Sequence, residues 1–120
     1  MVTEMKFQEE NPGNITKADI VVGIPSYNEA ANIAYPTTQA ALGLKEHFSH
    51  LSSVIINCDN SSTDGTPGTF LNTDTFGIPK MCLATQRGIR GKGNNLRNLF
   101  RKVIDLDAQA VVLIEANLKS

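Results

Sequence analysis

The segment that decides the fold is residues 20–29, which read Ile-Val-Val-Gly-Ile-Pro-Ser-Tyr-Asn-Glu. Its first five residues form an apolar run rich in β-branched side chains, which is typical of a strand buried on both faces. Pro25 ends this run, and Ser26–Glu29 connects it to an Ala-rich stretch that favours a helix. A buried strand that leads directly into a helix is typical of α/β proteins with a parallel sheet.

Three further apolar runs repeat this pattern along the chain. Residues 53–58, 80–85 and 110–114 are strand candidates. Between the last two, Leu96–Leu106 carries an apolar stripe at three- and four-residue spacing, which predicts a helix. Strands that alternate with helices predict an α/β fold, Rossmann-like, with a mostly parallel sheet and flanking helices.

Length and composition indicate one ordinary globular domain. Of the 120 residues, 41% are hydrophobic and 19% charged, with a net charge of −1; this balance argues against disorder and against a general nucleic-acid binder. Residues 1–18 are polar, so we expect a loose lead-in before a domain at 19–120. No apolar run has membrane-spanning length, and a cytoplasmic protein is expected. Cys58 and Cys82 lie in apolar runs and are expected to be buried reduced thiols.

Polar side chains follow the first two predicted strands. Tyr27 can stack on a nucleobase, and Glu29 can accept a base N–H or a ribose hydroxyl. Asp59 and Asn60 come directly after the second strand and offer further acceptors and an amide. Ligands of parallel sheets bind beyond the carboxyl ends of the strands, so these side chains predict a ligand site. The alternative is ordinary turn and helix-capping chemistry.

Two later segments are candidates for binding a diphosphate and a cation. The loop Gly88–Gly93 could hold phosphates through backbone N–H groups, with Lys92 as a point charge, although it lacks the Lys-Ser/Thr ending of a nucleoside-triphosphatase loop. Glu115 and Asn117 follow the last predicted strand. One carboxylate and one amide form a weaker site for Mg²⁺ or Mn²⁺ than two carboxylates do. The alternatives are a solvated loop and an ordinary strand end.

Together these segments resemble the family 2 glycosyltransferases of the GT-A fold and their relatives, the glucosyl-3-phosphoglycerate and mannosylglycerate synthases. Four stretches carry the resemblance in the family's order: residues 22–29 (VGIPSYNE), 59–66 (DNSSTDGT), 91–96 (GKGNNL) and 112–120 (VLIEANLKS). The resemblance covers the chain from about Asp19 onward. It implies a partial GT-A nucleotide-diphospho-sugar transferase fold that contains the N-terminal, nucleotide-sugar-binding half.

The resemblance implies a glycosyltransferase whose donor is a nucleotide diphosphate sugar, UDP-linked, and whose acceptor is unidentified. The nucleotide-sugar contacts that it implies are Pro25, Tyr27, Glu29, Asp59, Asn60 and Lys92. It also implies a divalent metal, Mg²⁺ or Mn²⁺, at an Asp-x-Asp motif, but here these positions read Glu115, Ala116 and Asn117. Because of this departure, the resemblance does not decide whether a metal binds. No catalytic residue is assigned.

The family needs roughly another domain-sized stretch for its acceptor half, whereas this chain stops at Ser120. We therefore expect a truncated domain with little or no turnover alone, whose last strand is an exposed apolar edge prone to self-association. Two alternatives stay open. One is a non-catalytic nucleotide-sugar-binding pseudoenzyme or regulatory module. The other is a sugar-nucleotide pyrophosphorylase, which would place its glycine-rich loop after the first strand, where Ser26–Glu29 lies here.

Overall fold

The structure is a computed structural model that describes residues 7–85 and 91–119. Within these ranges the chain forms five strands and three helices. In chain order they are β1 (Phe7–Glu10), β2 (Ile20–Ser26), α1 (Ala34–His47), β3 (Ser53–Asp59), α2 (Thr66–Asn72), β4 (Lys80–Thr85), α3 (Lys92–Asp105) and β5 (Ala110–Leu113). None of these helices combines the length and the hydropathy that crossing a membrane requires.

The strands of the described residues form one sheet with the order β1-β4-β3-β2-β5. β2 pairs in parallel with β3 and with β5, and β3 pairs in parallel with β4, whereas β1 runs antiparallel to β4. The prediction of a Rossmann-like α/β fold with a mostly parallel sheet and flanking helices is therefore confirmed.

Alternate residues of the strands enter two apolar cores, one on each face of the sheet. On one face, Ile24 of β2 packs with Leu44 of α1 and Phe70 of α2 in a single buried cluster. On the other face, Val21 of β2 belongs to a second cluster with Leu99 of α3. Right-handed crossovers account for this division, because α1 and α2 lead toward β4 whereas α3 leads back to β5.

The direction of the crossovers changes between β2 and β5. The chain leaves β2 toward α1 on one face of the sheet, and it reaches β5 from α3 on the other face. In open α/β sheets, the loops separate at such a position and leave a crevice beyond the carboxyl ends of the strands. The fold therefore leaves room for a ligand beside the residues that follow β2 and β5.

β1 is a strand that the sequence-based prediction missed. Phe7 packs against the core on the α3 face, and Glu9 forms an ion pair with Lys102 of α3, with Oε1 and Nζ 2.7 Å apart. Pairing with β4 and this ion pair are long-range contacts, which a pattern of four residues does not reveal. The expectation of a loose lead-in is wrong for residues 7–10, and the domain division after residue 18 stays a prediction.

Candidate functional site

A cleft of about 610 Å³ lies at the carboxyl edge of the sheet, where the crossover direction changes between β2 and β5. Residues that follow β2, β3 and β5 line it together with residues of α3. Its volume is typical of sites for small molecules. The predicted site residues that line the cleft are Pro25, Tyr27, Glu29, Asn60, Glu115 and Asn117. Their contact with a nucleotide stays a prediction.

The other two predicted contacts are Lys92 and Asp59, and of these Asp59 does not line the cleft. Lys92 begins α3, but its side chain lies outside the described residues, as do residues 86–90 of the predicted phosphate loop. Asp59 is the last residue of β3 and is only 1% exposed. Six of the eight predicted site residues therefore lie on one cleft, and Asp59 has hydrogen-bond partners within the protein.

Asp59 is a buried carboxylate that joins the ends of two strands. Its Oδ1 accepts hydrogen bonds from the hydroxyls of Ser26 at 2.8 Å and Ser62 at 2.6 Å. Its Oδ2 accepts the backbone N–H of Ser62 at 2.8 Å. A buried carboxylate needs such donors to replace lost water. The ligand contact of Asp59 stays a prediction, and its role in the structure is to hold β2, β3 and the loop after β3 together.

Ser62 also contacts the loop that follows β2. Its Oγ accepts the backbone N–H of Asn28 at 2.7 Å, and Oδ1 of Asn28 accepts the backbone N–H of Thr63 at 2.8 Å. Asn28 has a positive φ of 52°, a conformation that asparagine adopts more readily than most residues. The loop that carries Tyr27 is therefore anchored to the loop after β3.

A second set of hydrogen bonds anchors Glu29. Its backbone N–H donates to Oγ1 of Thr66, and the backbone N–H of Ala30 donates to Oδ2 of Asp64, both at 3.0 Å. The hydroxyl of Thr66 donates to Oδ1 of Asp64, and this bond holds the pKa of Asp64 below its ordinary value. The carboxylate of Glu29 accepts from Nδ2 of Asn32 at 3.2 Å and lines the cleft, where it offers an acceptor.

Tyr27 has the exposure that a stacking residue needs. Its side chain lines the cleft and the residue is 46% exposed, while the flanking Ser26 and Asn28 are both held by hydrogen bonds. A partly exposed aromatic ring on an anchored backbone can cover a planar ligand at little entropic cost.

Asn60 links three elements that border the cleft. Its backbone N–H donates to the carbonyl of Ser26 at 2.8 Å, which extends the pairing of β2 and β3 by one residue. Its side-chain Oδ1 accepts the backbone N–H of Gly91 at 2.8 Å, directly before α3. The side chain of Asn60 is therefore held between the end of β3 and the beginning of α3.

Asn57 and Asn95 are buried amides that the sequence-based prediction missed. Nδ2 of Asn57 donates to the carbonyl of Ile24 at 2.9 Å and to Oγ of Ser26 at 2.8 Å. Nδ2 of Asn95, on α3, donates to the carbonyl of Cys58 at 2.9 Å. Asn95 also lines the cleft. An amide within an apolar strand run is a signal that could have found Asn57, since such a group needs buried partners.

Glu115 and Asn117 follow β5 and are exposed, with the buried Ala116 between them. Oxygen ligands suit Mg²⁺ or Mn²⁺, but one carboxylate and one amide are a partial ligand set. Within residues 7–85 and 91–119, no group of three or more His, Cys, Asp or Glu side chains is placed to hold a metal ion. A divalent cation at this strand end stays a prediction, because these two side chains do not complete a site by themselves.

No protein-family model, curated protein or solved structure matches this chain. The fold and the cleft therefore rest on the structure itself. The resemblance to family 2 glycosyltransferases rests on residues 22–29, 59–66, 91–96 and 112–120.

Proposed function

We propose that this chain is the nucleotide-sugar-binding half of a glycosyltransferase and that its donor is a UDP-sugar. One observation supports this proposal most: all four segments that resemble family 2 glycosyltransferases contribute residues to the same cleft. These residues include Tyr27, Asn60, Asn95 and Glu115. An aromatic ring, amides and carboxylates in one small-molecule cleft are the groups that recognise a nucleoside and its hydroxyls.

Each residue has a role in this proposal. Tyr27 stacks on or flanks the uracil, beside Pro25 in the nucleoside pocket. Glu29 accepts a hydrogen bond from a base N–H or a ribose hydroxyl, and Asn60 contacts the base. Lys92 lies near the base or the diphosphate. The anchored loops keep Tyr27 and Glu29 in place before the ligand arrives, which reduces the entropic cost of binding.

The proposed reaction class is transfer of the sugar to an acceptor hydroxyl. The bond from the anomeric carbon to the diphosphate oxygen breaks, the acceptor oxygen bonds to that carbon, and the hydroxyl proton passes to a base. Among the described residues that line the cleft, Glu29 and Glu115 carry the carboxylates, and neither is assigned as that base. We therefore expect donor binding, with little or no turnover by this chain alone.

Calorimetric titration of the folded chain with UDP and UDP-glucose, with GDP and ADP as controls, tests the proposal. We expect uridine-selective binding that weakens about tenfold with Tyr27→Ala, because the ring no longer covers the base. Tyr35→Ala is the matched control: it removes the other of the two tyrosines, which is 38% exposed on α1 and does not line the cleft. A folded chain that binds no nucleotide would refute the proposal.

The same titrations test whether a divalent cation takes part in nucleotide binding. Each is made once with Mn²⁺ and once with EDTA, for the wild type and for Glu115→Ala. Binding that weakens both in EDTA and with Glu115→Ala supports a cation at the end of β5. Uridine-selective binding that EDTA leaves unchanged would support the UDP-sugar site and would exclude a role for the cation.

A non-catalytic nucleotide-sugar-binding module is the second candidate function. It is favoured by the segment after β5, where Glu115 and Asn117 stand in place of two acids. This candidate predicts binding of the UDP-sugar without release of free sugar. Detectable hydrolysis of the donor that is lost with Glu115→Ala would exclude it.

We also propose a cytoplasmic location. Cys58 and Cys82 are both buried free thiols, as the sequence predicts. Free thiols are typical of reducing compartments, whereas secreted domains of this size often carry disulfides. Fractionation of cells that express the native chain tests this location.

A further inference from the structure

The side-chain amide of Asn60 is held in one orientation by a backbone donor. Because the N–H of Gly91 donates to Oδ1 at 2.8 Å, the oxygen of this amide faces Gly91 and Nδ2 occupies the other branch. A flipped amide would place two donors against each other and lose the hydrogen bond. The backbone N–H of Gly91 therefore determines which atom of the Asn60 amide is left for a ligand.

The free end of Asn60 is a donor. In the part of the chain that the structure describes, Nδ2 of Asn60 donates to no protein acceptor, whereas its Oδ1 and its backbone N–H are both used. It is also accessible, since no buried side-chain nitrogen or oxygen of these residues lacks a partner. An accessible, unused amide N–H on the lining of a cleft is available to a ligand.

The neighbouring polar side chains are used inside the protein. Asp59 accepts from Ser26 and Ser62 through both of its oxygens. Asn95 donates to the carbonyl of Cys58, and its Oδ1 accepts the hydroxyl of Thr85 at 3.3 Å. Of these polar side chains at the end of β3, Asn60 is therefore the one that offers a hydrogen-bonding group to the cleft.

We infer that Asn60 is a specificity-determining residue of the cleft and that it recognises an acceptor atom of the ligand, not an N–H. This inference rests on the proposed function. In a UDP-sugar, the acceptor is a carbonyl oxygen of the uracil ring. A base that presents an N–H to Asn60 is rejected, because two donors would then meet in a partly dehydrated site.

Asn60→Asp is the substitution that tests this inference. The aspartate has the same shape, and one of its oxygens still accepts the N–H of Gly91, so the link to α3 is kept. At the accessible position of the side chain that Gly91 does not use, a donor is replaced by an acceptor. Titration of UDP in about 0.5 M salt, which screens the added charge from the diphosphate, then reports the contact itself.

We expect Asn60→Asp to weaken UDP binding about tenfold or more, because an acceptor would meet the uracil carbonyl. Asn72→Asp is the matched control: it makes the same change on an exposed residue of α2 that does not line the cleft, and it should leave UDP affinity unchanged. Equal or tighter UDP binding by Asn60→Asp would overturn the inference, since it would mean that the ligand presents an N–H.

A second measurement is made on the wild-type chain and needs no substitution. The side-chain ¹⁵N–H₂ resonances of Asn60 in the wild type should shift and exchange more slowly with solvent at saturating UDP. Those of Asn98, which is buried and donates to Thr85 at 3.2 Å, should not change. Bound UDP with unchanged Asn60 resonances overturns this inference and leaves the proposed function standing. No nucleotide binding by the folded wild type overturns both.

Discussion

The hydroxyl of Ser26, the last residue of β2, donates to Oδ1 of Asp59, the last residue of β3, at 2.8 Å, and both residues are buried. The two residues are also paired in register across the sheet. One buried carboxylate therefore fixes the carboxyl ends of the two strands from which the cleft loops begin. Because Tyr27 and Asn60 directly follow these residues, the position of both depends on a hydrogen bond that a ligand need not touch.

Replacing Asp59 by Ala should lower the free energy of unfolding by roughly 2–4 kcal/mol, because the hydroxyls of Ser26 and Ser62 lose a buried acceptor. Urea denaturation followed by circular dichroism measures this change. Asp105→Ala is the control, since Asp105 is exposed at the end of α3; it should change stability little. Equal stability of the two variants would contradict the structural role of Asp59.

Gly23 should be intolerant of a side chain because α3 packs directly on it. A Cβ at this position would lie 2.6 Å from Cδ2 of the fully buried Leu99 and 3.1 Å from Cδ2 of Leu113. Gly23→Ala should therefore lower the free energy of unfolding by about 1–3 kcal/mol in urea denaturation. In Gly43→Ala, where a Cβ meets no atom within 4 Å in α1, stability should rise by about 0.5–1 kcal/mol. A Gly23→Ala variant as stable as the wild type would show that Leu99 has room to move.

The stability of the fold should decrease as the pH rises from 9 toward 12. Burial raises the pKa of the Cys58 thiol from its ordinary value of 9.0 to about 12, and burial also raises that of Cys82. The unfolded chain therefore loses these protons first, so the stability contributed by the neutral thiols is present below pH 9 and is lost as the pH rises through 12. Urea midpoints measured across this interval test the loss.

The double variant Cys58→Ala, Cys82→Ala isolates the thiols from the other groups that titrate at alkaline pH. Its stability should be lower at neutral pH because two core side chains are shortened, but it should fall less steeply with pH. Parallel pH curves for the variant and the wild type would show that the thiols are not the cause.

The parallel strands β2 to β5 and the position of the cleft were predictable because both depend on local patterns, whereas β1 was missed. Residues 20–24 and 53–58 form continuous apolar runs with polar residues directly after them, and the parallel arrangement brings those ends together. The partners of Asp59 were not predictable in this way. A carboxylate directly after a strand has the same local sequence whether it faces a cleft or is covered by Ser62, and only the three-dimensional arrangement of the loop decides between them.

β5 leaves an apolar surface at one edge of the sheet. Its outer side has no strand partner among the described residues, and an apolar groove of about 390 Å³ runs beside it. Leu44 and Phe48 contribute to this groove, together with Val112 of β5, which is 51% exposed. Unpaired apolar strand edges are templates for association with another chain.

We therefore expect the chain to self-associate with increasing concentration, as measured by light scattering. Val112→Lys should shift the equilibrium toward the monomer, because a lysine on an edge strand must be dehydrated when a second chain pairs with it. Leu42→Lys adds the same charge at a leucine of α1 that is 43% exposed and lies outside the groove, so it should leave association unchanged. A wild-type chain that is monodisperse and monomeric at high concentration would contradict the prediction. Equal effects of the two lysines would assign the association to general surface charge and not to β5.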